Sequence, residues 1–344
     1  MLKIIANNWK LRTQNFEELG RGGEAVIYRL KPDTVAKVYL LPNDPQYREF
    51  PDQKEAAKVR HEEIQTKLFD FPTGLPAGLV VPQGVLLNGG KRIFGYTMLY
   101  IEGTAFDKLA RIDGKLTPEL TAKLLAGLYE LVCALHAKGV IIGDFNENNI
   151  MVANETVYLI DADSMQFGRY QCRSFMLRFS APELLAFTAA KTKGRGKKKV
   201  IVPAQAVLAK PYNELSDWYS FLVIAMRLLV HTDPYGGVAK GMDLLERLRQ
   251  RITIFDQRVV YPQIARPLAV VPRPLLEAFY RAFKLGERFV PEKEIFGLNR
   301  LDPADASIRA LATAATKMKT TIAAKKKPAT RKKKGRKTNG RKKR

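Results

Sequence analysis

Apolar residues recur with helical spacing over one stretch in the middle of the chain. The pattern begins at Thr117 and ends at His136, and the leucines that carry it are Leu120, Leu124, Leu128, Leu131 and Leu135. Thr117 followed by Pro118 is typical of a helix cap and first turn, and Gly139 is typical of the residue beyond a helix end. The pattern predicts a long helix with one apolar face.

The N-terminal third of the chain alternates between short apolar runs and turn residues. Residues 19–39 predict three strands, separated by a glycine turn and by the turn Lys31-Pro32-Asp33. Val80–Leu87 and Arg92–Tyr100 predict two more strands on either side of Asn88-Gly89-Gly90. Five strands of this kind indicate a small sheet.

Length and composition restrict the class of protein. A chain of 344 residues can bury a full core and is expected to form two lobes. Its two cysteines, Cys133 and Cys172, and its three scattered histidines favour neither a disulfide framework nor a zinc site. No run reaches the ~18 apolar residues that cross a bilayer, and the N-terminus lacks a signal-peptide pattern. We expect a cytoplasmic protein, or a nuclear one if the source has a nucleus.

The net charge of +24 is unevenly distributed. Residues 325–344 contain 13 Lys/Arg and no acid, and residues 191–199 contain six more, which leaves +5 for the remaining chain. The terminal run has no apolar periodicity and is predicted to be disordered. Both basic segments are candidate nucleic-acid contacts through phosphates. A nuclear-localisation signal, an acidic protein or an anionic membrane would explain the terminal run as well.

The stretch from His136 to Asp163 contains the densest candidate chemistry. Asp144 is followed five residues later by Asn149, and Asp161 and Asp163 follow a short apolar run. Ile150–Val152 and Val157–Ile160 predict a hairpin, which would bring Asp144, Asn149 and Asp161 to one end of it. Oxygen ligands without Cys or His suit a hard cation such as Mg²⁺ that shares its shell with phosphates.

This stretch resembles the catalytic core of the protein-kinase-like fold. Asp144-x-x-x-x-Asn149 is similar to the kinase catalytic loop, and Leu159-Ile160-Asp161 to the strand that leads into D-F-G. The resemblance implies that Asp144 is the catalytic base and that Asn149 and Asp161 are metal ligands. Three departures are Ile142-Gly143 for His-Arg, Asn146 for Lys, and Ala162-Asp163 for Phe-Gly. Asp163 is therefore an alternative metal ligand, although Asp161 directly follows the strand.

The predicted strands supply the phosphate-binding end of such a site. Gly20-x-Gly22-x-x-Ala25-x-Ile27 resembles the glycine-rich loop, and Val35-Ala36-Lys37-Val38 resembles the third-strand motif whose Lys contacts phosphates. The resemblance places backbone groups for adenine at Leu99-Tyr100-Ile101, with Met98 behind them. The implied nucleotide-binding residues are Gly20, Gly22, Gly23, Ala25, Ile27, Ala36, Lys37, Met98, Leu99, Tyr100 and Ile101.

A lysine inside an apolar strand needs an acidic partner, because burial of a lone ammonium is costly. Asp52 and Glu55 have capping-box spacing, which predicts a helix that begins near Gln53. Its apolar side comprises Ala56, Ala57, Val59, Ile64 and Leu68. Glu63 lies at the edge of that side, whereas Glu62 points away, so Glu63 is the predicted partner of Lys37.

Later motifs agree in order with the same family. Ser180-Ala181-Pro182-Glu183 resembles the end of an activation segment, and Arg288 is the predicted partner of Glu183. Ser216-Asp217 resembles the start of the central buried helix, whose Asp braces the catalytic loop. An insertion at 188–210 carries the basic run 191–199.

The resemblance implies an α+β, bilobal, protein-kinase-like fold with an antiparallel-sheet N-lobe and a mainly helical C-lobe. The expected boundaries are 1–101 for the N-lobe, 102–300 for the C-lobe and 301–344 for a largely disordered basic tail. The implied function is ATP- and Mg²⁺-dependent transfer of phosphate to Ser/Thr hydroxyls of a protein substrate. A small-molecule phosphotransferase of the aminoglycoside type and a nucleic-acid-binding pseudokinase scaffold are the alternatives.

Overall fold

The N-terminal strands form one antiparallel sheet. The computed structural model describes residues 16–48, 51–109, 116–188, 191–193, 200–202 and 204–297. The sheet has five strands in the order β1-β2-β3-β5-β4. Their bounds are Glu17–Arg21 (β1), Ala25–Lys31 (β2), Thr34–Tyr39 (β3), Gly84–Leu87 (β4) and Ile93–Leu99 (β5).

Helix α1 (Pro51–Lys67) connects β3 to the last two strands and packs against β5. Ala57, Ile64 and Leu68 are buried as predicted, but Ala56 and Val59 are exposed. Two polar residues occupy the buried side instead. The His61 ring nitrogen lies 3.0 Å from the carbonyl oxygen of Leu40, and the Gln65 amide exchanges hydrogen bonds of 2.9 and 3.0 Å with the backbone of Ile93. The apolar pattern alone therefore misplaced part of the buried side.

The second half of the chain is built around two helices. Helix α3 (Pro118–His136) follows β6 (Thr104–Ala105) and α2 (Phe106–Leu109), and the hairpin of β7 (Ile150–Ala153) and β8 (Thr156–Leu159) follows α3. The Thr117 hydroxyl accepts a 3.2 Å bond from the Leu120 amide, which confirms the predicted cap. Helix α4 (Glu214–Val230) is almost entirely buried.

Two pairs of antiparallel strands lie in and next to the predicted insertion. β9 (Leu185–Thr188) pairs with β12 (Gln205–Leu208), and β10 (Lys191–Lys193) pairs with β11 (Val200–Val202). Most of the basic run 191–199, namely residues 194–199, lies outside the described residues.

Short elements complete the chain. They are β13 (Val238–Ala239), α5 (Leu244–Gln250), β14 (Val259–Val260) and α6 (Arg273–Phe279), which continues into a π-helical segment, Tyr280–Leu285. An antiparallel-sheet N-terminal part and a helical later part confirm the predicted α+β, bilobal kinase-like fold. The predicted tail at 301–344 lies outside the described residues. Within the described parts of the chain, no helix is both long and apolar enough to cross a membrane.

Candidate active site

The catalytic loop is supported from below by one buried carboxylate. Asp217, in the first turn of α4, accepts backbone bonds from Ile142 (2.7 Å) and Gly143 (2.9 Å), and its Oδ2 lies 2.9 Å from His136 Nε2. Burial raises the pKa of Asp217, and the bond to His136 only partly offsets this effect. Helix α4 thus fixes the backbone of this loop through Asp217, as the sequence predicted.

Gly143 is required at its position for a steric reason. Its φ is +77°, and an added Cβ would lie 2.6 Å from the Cβ and 2.7 Å from the Sγ of Cys172. A Cβ at this φ is strained, and a rigid neighbour at that distance cannot move aside. The residue before Asp144 therefore has no side chain that could bind a phosphate.

Asp144 lies at the start of the loop with two asparagines arranged around it. The Asn146 amide donates to a carboxylate oxygen of Asp144 at 3.1 Å and to its backbone oxygen at 3.0 Å. The Asn149 side-chain amide donates to the same backbone oxygen at 3.0 Å. The side-chain oxygen of Asn149 therefore points away from that contact. Burial raises the pKa of Asp144 to about 6, and the carboxylates of Asp161 and Glu24 add to the rise. A carboxylate with this pKa is suited to accept a proton near neutral pH.

Asp161 and Asp163 lie in different environments although a single residue separates them. Asp161, two residues beyond β8, has the left-handed conformation, with φ +69° and ψ +36°, and a 3₁₀ turn over Ala162–Ser164 follows. The Ser164 hydroxyl donates to the Asp161 carbonyl at 2.8 Å. This turn directs the two carboxylates differently: the side chain of Asp161 is 28% exposed and that of Asp163 is 6% exposed.

Lys37 is bonded to both carboxylates. Its ammonium donates to Asp161 and to the two oxygens of Asp163, at 2.8 and 3.1 Å. The Tyr39 and Tyr96 hydroxyls donate to Asp163 at 2.7 and 2.6 Å. Burial by itself would raise the pKa of Asp163, but Lys37 and the two hydroxyls hold it at about 2. Burial raises the pKa of Asp161, and Lys37 offsets only part of that rise.

The predicted pair of Lys37 with Glu63 is not formed. A Glu63 oxygen lies 3.9 Å from an Arg173 nitrogen, and Glu63 lines a cavity of 350 Å³ between α1 and the segment after β8, to which Asp163 also contributes. Helical spacing gave the side of α1 on which Glu63 lies but not which group would reach Lys37 first. Asp163 occupies the place next to Lys37, so a helix carboxylate has no role there.

A cleft of 610 Å³ between the two lobes unites most of the predicted site. Asp144, Asn149 and Asp161 lie at its inner end, and the lining also includes Gly20, Gly22, Gly23, Ala25, Ile27, Lys37, Met98, Leu99, Tyr100 and Ile101. Ala36 was predicted to line the cleft, but Val35 does so instead. Alternate residues of a strand face opposite sides, and Val35 shares the side of Lys37.

Glu24, at the tip of the glycine loop, was missed from the sequence. Its carboxylate lies 2.5 Å from Arg60 of α1 and accepts a 3.2 Å bond from the Ser174 hydroxyl. It therefore joins the loop to both the helix and the activation segment. Tyr39 and Tyr96 were missed too, although the two-residue spacing from Lys37 to Tyr39 within β3 placed that tyrosine on the same face.

The cleft has the donor atoms of a nucleotide-borne magnesium site. The described residues contain no group of three His, Cys, Asp or Glu placed to hold a metal by themselves. Mg²⁺ in nucleotide sites is usually held by one or two carboxylates together with substrate phosphates. The partly exposed carboxylate of Asp161 and the side-chain oxygen of Asn149 fit that requirement.

The predicted anchor of the activation segment is confirmed. Arg288 donates to both carboxylate oxygens of Glu183, one of them at 2.7 Å. Arg288 holds the pKa of Glu183 below its usual range although burial opposes this effect. The pair fixes the segment that ends in Ala181-Pro182-Glu183 to the C-terminal part of the lobe.

Comparisons with known proteins give distant similarities. No protein-family model matches the sequence. Over 159 residues, the chain is 31% identical to a probable bifunctional tRNA threonylcarbamoyladenosine biosynthesis protein of Methanosarcina acetivorans, which covers 46% of this chain and 26% of that protein. A protein of the same description from Methanosarcina barkeri is 28% identical over 145 residues, or 42% and 24% of the two chains.

The human receptor-interacting serine/threonine-protein kinase 1 is 26% identical over 154 residues, which cover 44% of this chain and 22% of the kinase. The matches thus span about a quarter of the length of each relative. The α+β architecture and this distant similarity together give the chain a kinase-like fold.

Proposed function

We propose that the protein is an ATP- and Mg²⁺-dependent phosphotransferase that transfers the γ-phosphate to Ser/Thr hydroxyls of a protein substrate. The observation that carries the proposal is that Lys37, Asp144, Asn149 and Asp161 all line one cleft beneath the glycine loop. Kinase catalysis needs positioning and charge neutralisation around the phosphate, and these four residue types supply both.

Each residue has a distinct part in this proposal. The backbone N–H groups of the glycine loop and the Lys37 ammonium bind the phosphates, and Asp144 accepts the proton of the substrate hydroxyl. Asn149 and Asp161 would hold Mg²⁺, which supplies neutralisation of phosphate charge when it is bound with the nucleotide. Asp163 is less suited to that role because protein donors already surround it.

A protein substrate is favoured by the anchored activation segment. Arg288 and Glu183 fix the part of the chain that forms the peptide-docking shelf in protein kinases. A small-molecule phosphotransferase is the second candidate. It is favoured by Gly143 and by Asn146, which stands where protein kinases carry a lysine that helps to hold the transferring phosphate.

The test is incubation with labelled ATP and Mg²⁺, with and without a generic basic protein. Label on the chain or on the added protein is expected for a protein kinase. Asp144→Asn and Asp161→Asn should each abolish transfer, since loss of a general base costs about 10²–10⁴ in rate. Asp161→Asn should in addition abolish the Mg²⁺ dependence of nucleotide binding, which Asp144→Asn should retain. Glu155→Gln, an exposed change in the turn of the nearby hairpin, is the matched control.

Full activity in Asp161→Asn together with a dead Asp163→Asn would reverse the metal assignment. If the chain binds nucleotide but labels neither itself nor the added protein, a small-molecule phosphotransferase is favoured. If it binds no nucleotide, a nucleic-acid-binding pseudokinase scaffold is favoured.

We also propose that the basic segments bind nucleic acid. Support comes from 13 Lys/Arg within residues 325–344 and six within 191–199, the latter in an insertion with a β-ribbon. The archaeal relatives are described as probable bifunctional tRNA threonylcarbamoyladenosine biosynthesis proteins, which is compatible with a nucleic-acid partner. Duplex binding by the full chain should fall steeply with salt, with a log–log slope of roughly −5 to −7 for about 6–8 phosphate contacts. Equal affinity in a 1–324 truncation would exclude the terminal segment from binding.

A further inference from the structure

We propose that Asp163, held by Tyr39 and Tyr96 of the sheet, positions Lys37, so that the lysine is oriented by the segment after β8 and not by a carboxylate of helix α1. The inference rests on the proposed function for the role of Lys37. It concerns a positioning residue, because Asp163 acts through the lysine and does not line the nucleotide cleft.

The register of the sheet brings the three donors together. Lys37 and Tyr96 are directly opposite each other on β3 and β5, and Tyr39 lies two residues further along β3. Directly opposed residues share one face of a sheet, as do residues two apart on one strand. All three side chains therefore point from a single face toward the turn that carries Asp163.

The contacts saturate the Asp163 carboxylate. Oδ1 accepts from Lys37 at 2.8 Å and from Tyr96 at 2.6 Å, and Oδ2 accepts from Lys37 at 3.1 Å and from Tyr39 at 2.7 Å. A carboxylate has about four acceptor sites, so these four bonds leave none for a cation. Asp161, whose side chain is 28% exposed, keeps acceptor capacity toward the cleft. Both carboxylates thus bond to the lysine, but only Asp161 also lines the cleft.

Helix α1 contributes no carboxylate to this arrangement. Its candidate, Glu63, lies 3.9 Å from Arg173, and although Glu63 and Asp163 both line the 350 Å³ cavity, the Lys37 ammonium is bonded to Asp161 and Asp163. Among the described residues, the groups bonded to the Lys37 ammonium come from the segment directly after β8.

The experiment compares Asp163→Asn with Glu63→Gln in the full chain. Misplacement of a catalytic group by about 1 Å can cost about 10²-fold, so kcat/KM for ATP should fall by about that factor in Asp163→Asn. Glu63→Gln should stay within about twofold of the parent chain by the same argument. The Mg²⁺ concentration for half-maximal rate should be unchanged in Asp163→Asn, because the four donors around the Asp163 carboxylate leave it no acceptor site for a cation.

A coupling measurement separates positioning from a general structural role. If Asp163 acts through Lys37, Asp163→Asn should have no further effect on nucleotide affinity once Lys37→Met is present. Should Asp163→Asn fail to fold, Tyr39→Phe with Tyr96→Phe retains the charge and removes only two donors. That double variant should lower kcat/KM more than Glu63→Gln does, and a loss no larger than that of Glu63→Gln would overturn the inference.

Three results would each overturn the inference. They are an equal loss of kcat/KM in Asp163→Asn and Glu63→Gln, a further loss of nucleotide affinity when Asp163→Asn is added to Lys37→Met, and a changed Mg²⁺ requirement in Asp163→Asn. Nucleotide affinity is measured directly as well. A chain that binds ATP through the Asp163-positioned lysine but transfers nothing would refute the proposed function and leave this inference standing.

Discussion

Asp144 is expected to give phosphate transfer an acid limb near pH 6. Its pKa is raised to about 6, first by burial and then by the carboxylates of Asp161 and Glu24, while the Asn146 amide opposes the rise. A base must be ionised to accept a proton, so kcat/KM should follow the ionised fraction of Asp144 in the free protein. At pH 5 only about a tenth of the molecules carry the charge, and the rate should change about tenfold per pH unit below that.

Two substitutions should move this limb in opposite directions. Glu24→Gln removes a neighbouring negative charge and should lower the apparent pKa, whereas Asn146→Ser removes the amide donor and should raise it. Glutamine can still accept from Arg60, and serine can still cap the catalytic-loop turn, so both variants should fold. The assay is kcat/KM for ATP between pH 4.5 and 8. A flat profile through pH 6, or shifts of the same sign in both variants, would refute the assignment of Asp144 as the base.

The same pKa affects stability, and this second readout does not depend on the reaction. The folded state holds the Asp144 proton more tightly than the unfolded state, whose pKa is about 3.9. Its contribution to the free energy of unfolding is therefore present below pH 4 and is lost as pH rises through about 6. Two pKa units correspond to at most about 3 kcal/mol. Asp144→Asn should thus unfold at a higher temperature than the parent at pH 8, with the difference absent at pH 4.

Three further outcomes are expected. Gly143→Ala should lower the free energy of unfolding in denaturant by about 2–4 kcal/mol, because the alanine Cβ would overlap Cys172 at a positive φ. A loss below about 1 kcal/mol would contradict this geometry. Arg288→Gln should raise the KM for a protein substrate and cost about 1–2 kcal/mol of stability, since it breaks a half-buried pair with Glu183; an unchanged KM would remove the segment from substrate docking. Asp217→Asn should lower kcat about tenfold with little change in ATP affinity, because one backbone N–H group of the catalytic loop loses its acceptor. A kcat equal to the parent's would show that the loop keeps its conformation without this bond.

Much of the fold was predictable because its signals are local. Thr117 and Pro118 mark the start of α3 by cap chemistry, and the structure begins the helix at Pro118. The order of motifs along the chain predicted that Asp217 would support the loop, and it accepts both backbone N–H groups. Such features depend on a residue and its near neighbours, or on a motif whose geometry is set by one helix and one loop.

The errors occurred where a partner is chosen in three dimensions. Helical spacing placed Glu63 on the inner edge of α1, but spacing carries no information on how far that edge lies from Lys37. The apolar pattern of α1 was misleading for a related reason: the Gln65 amide satisfies backbone groups of Ile93 on the buried side, so Val59 is left outside. A polar residue that bonds to another element cannot be distinguished in the sequence from one that faces water.

The contrast between Asp161 and Asp163 shows how one turn can assign two roles to identical side chains. The left-handed residue two positions after β8 precedes a 3₁₀ turn, which directs the Asp163 side chain toward Lys37, Tyr39 and Tyr96 and leaves Asp161 at the cleft. The pKa of Asp163 is then lowered by a lysine and two hydroxyls, while that of Asp161 is raised by burial beside a second carboxylate. Paired acids whose environments separate their pKa values are a common basis for a division of labour in active sites. Here the division follows from backbone geometry, so a change that straightens the turn should disturb lysine placement and cation binding together.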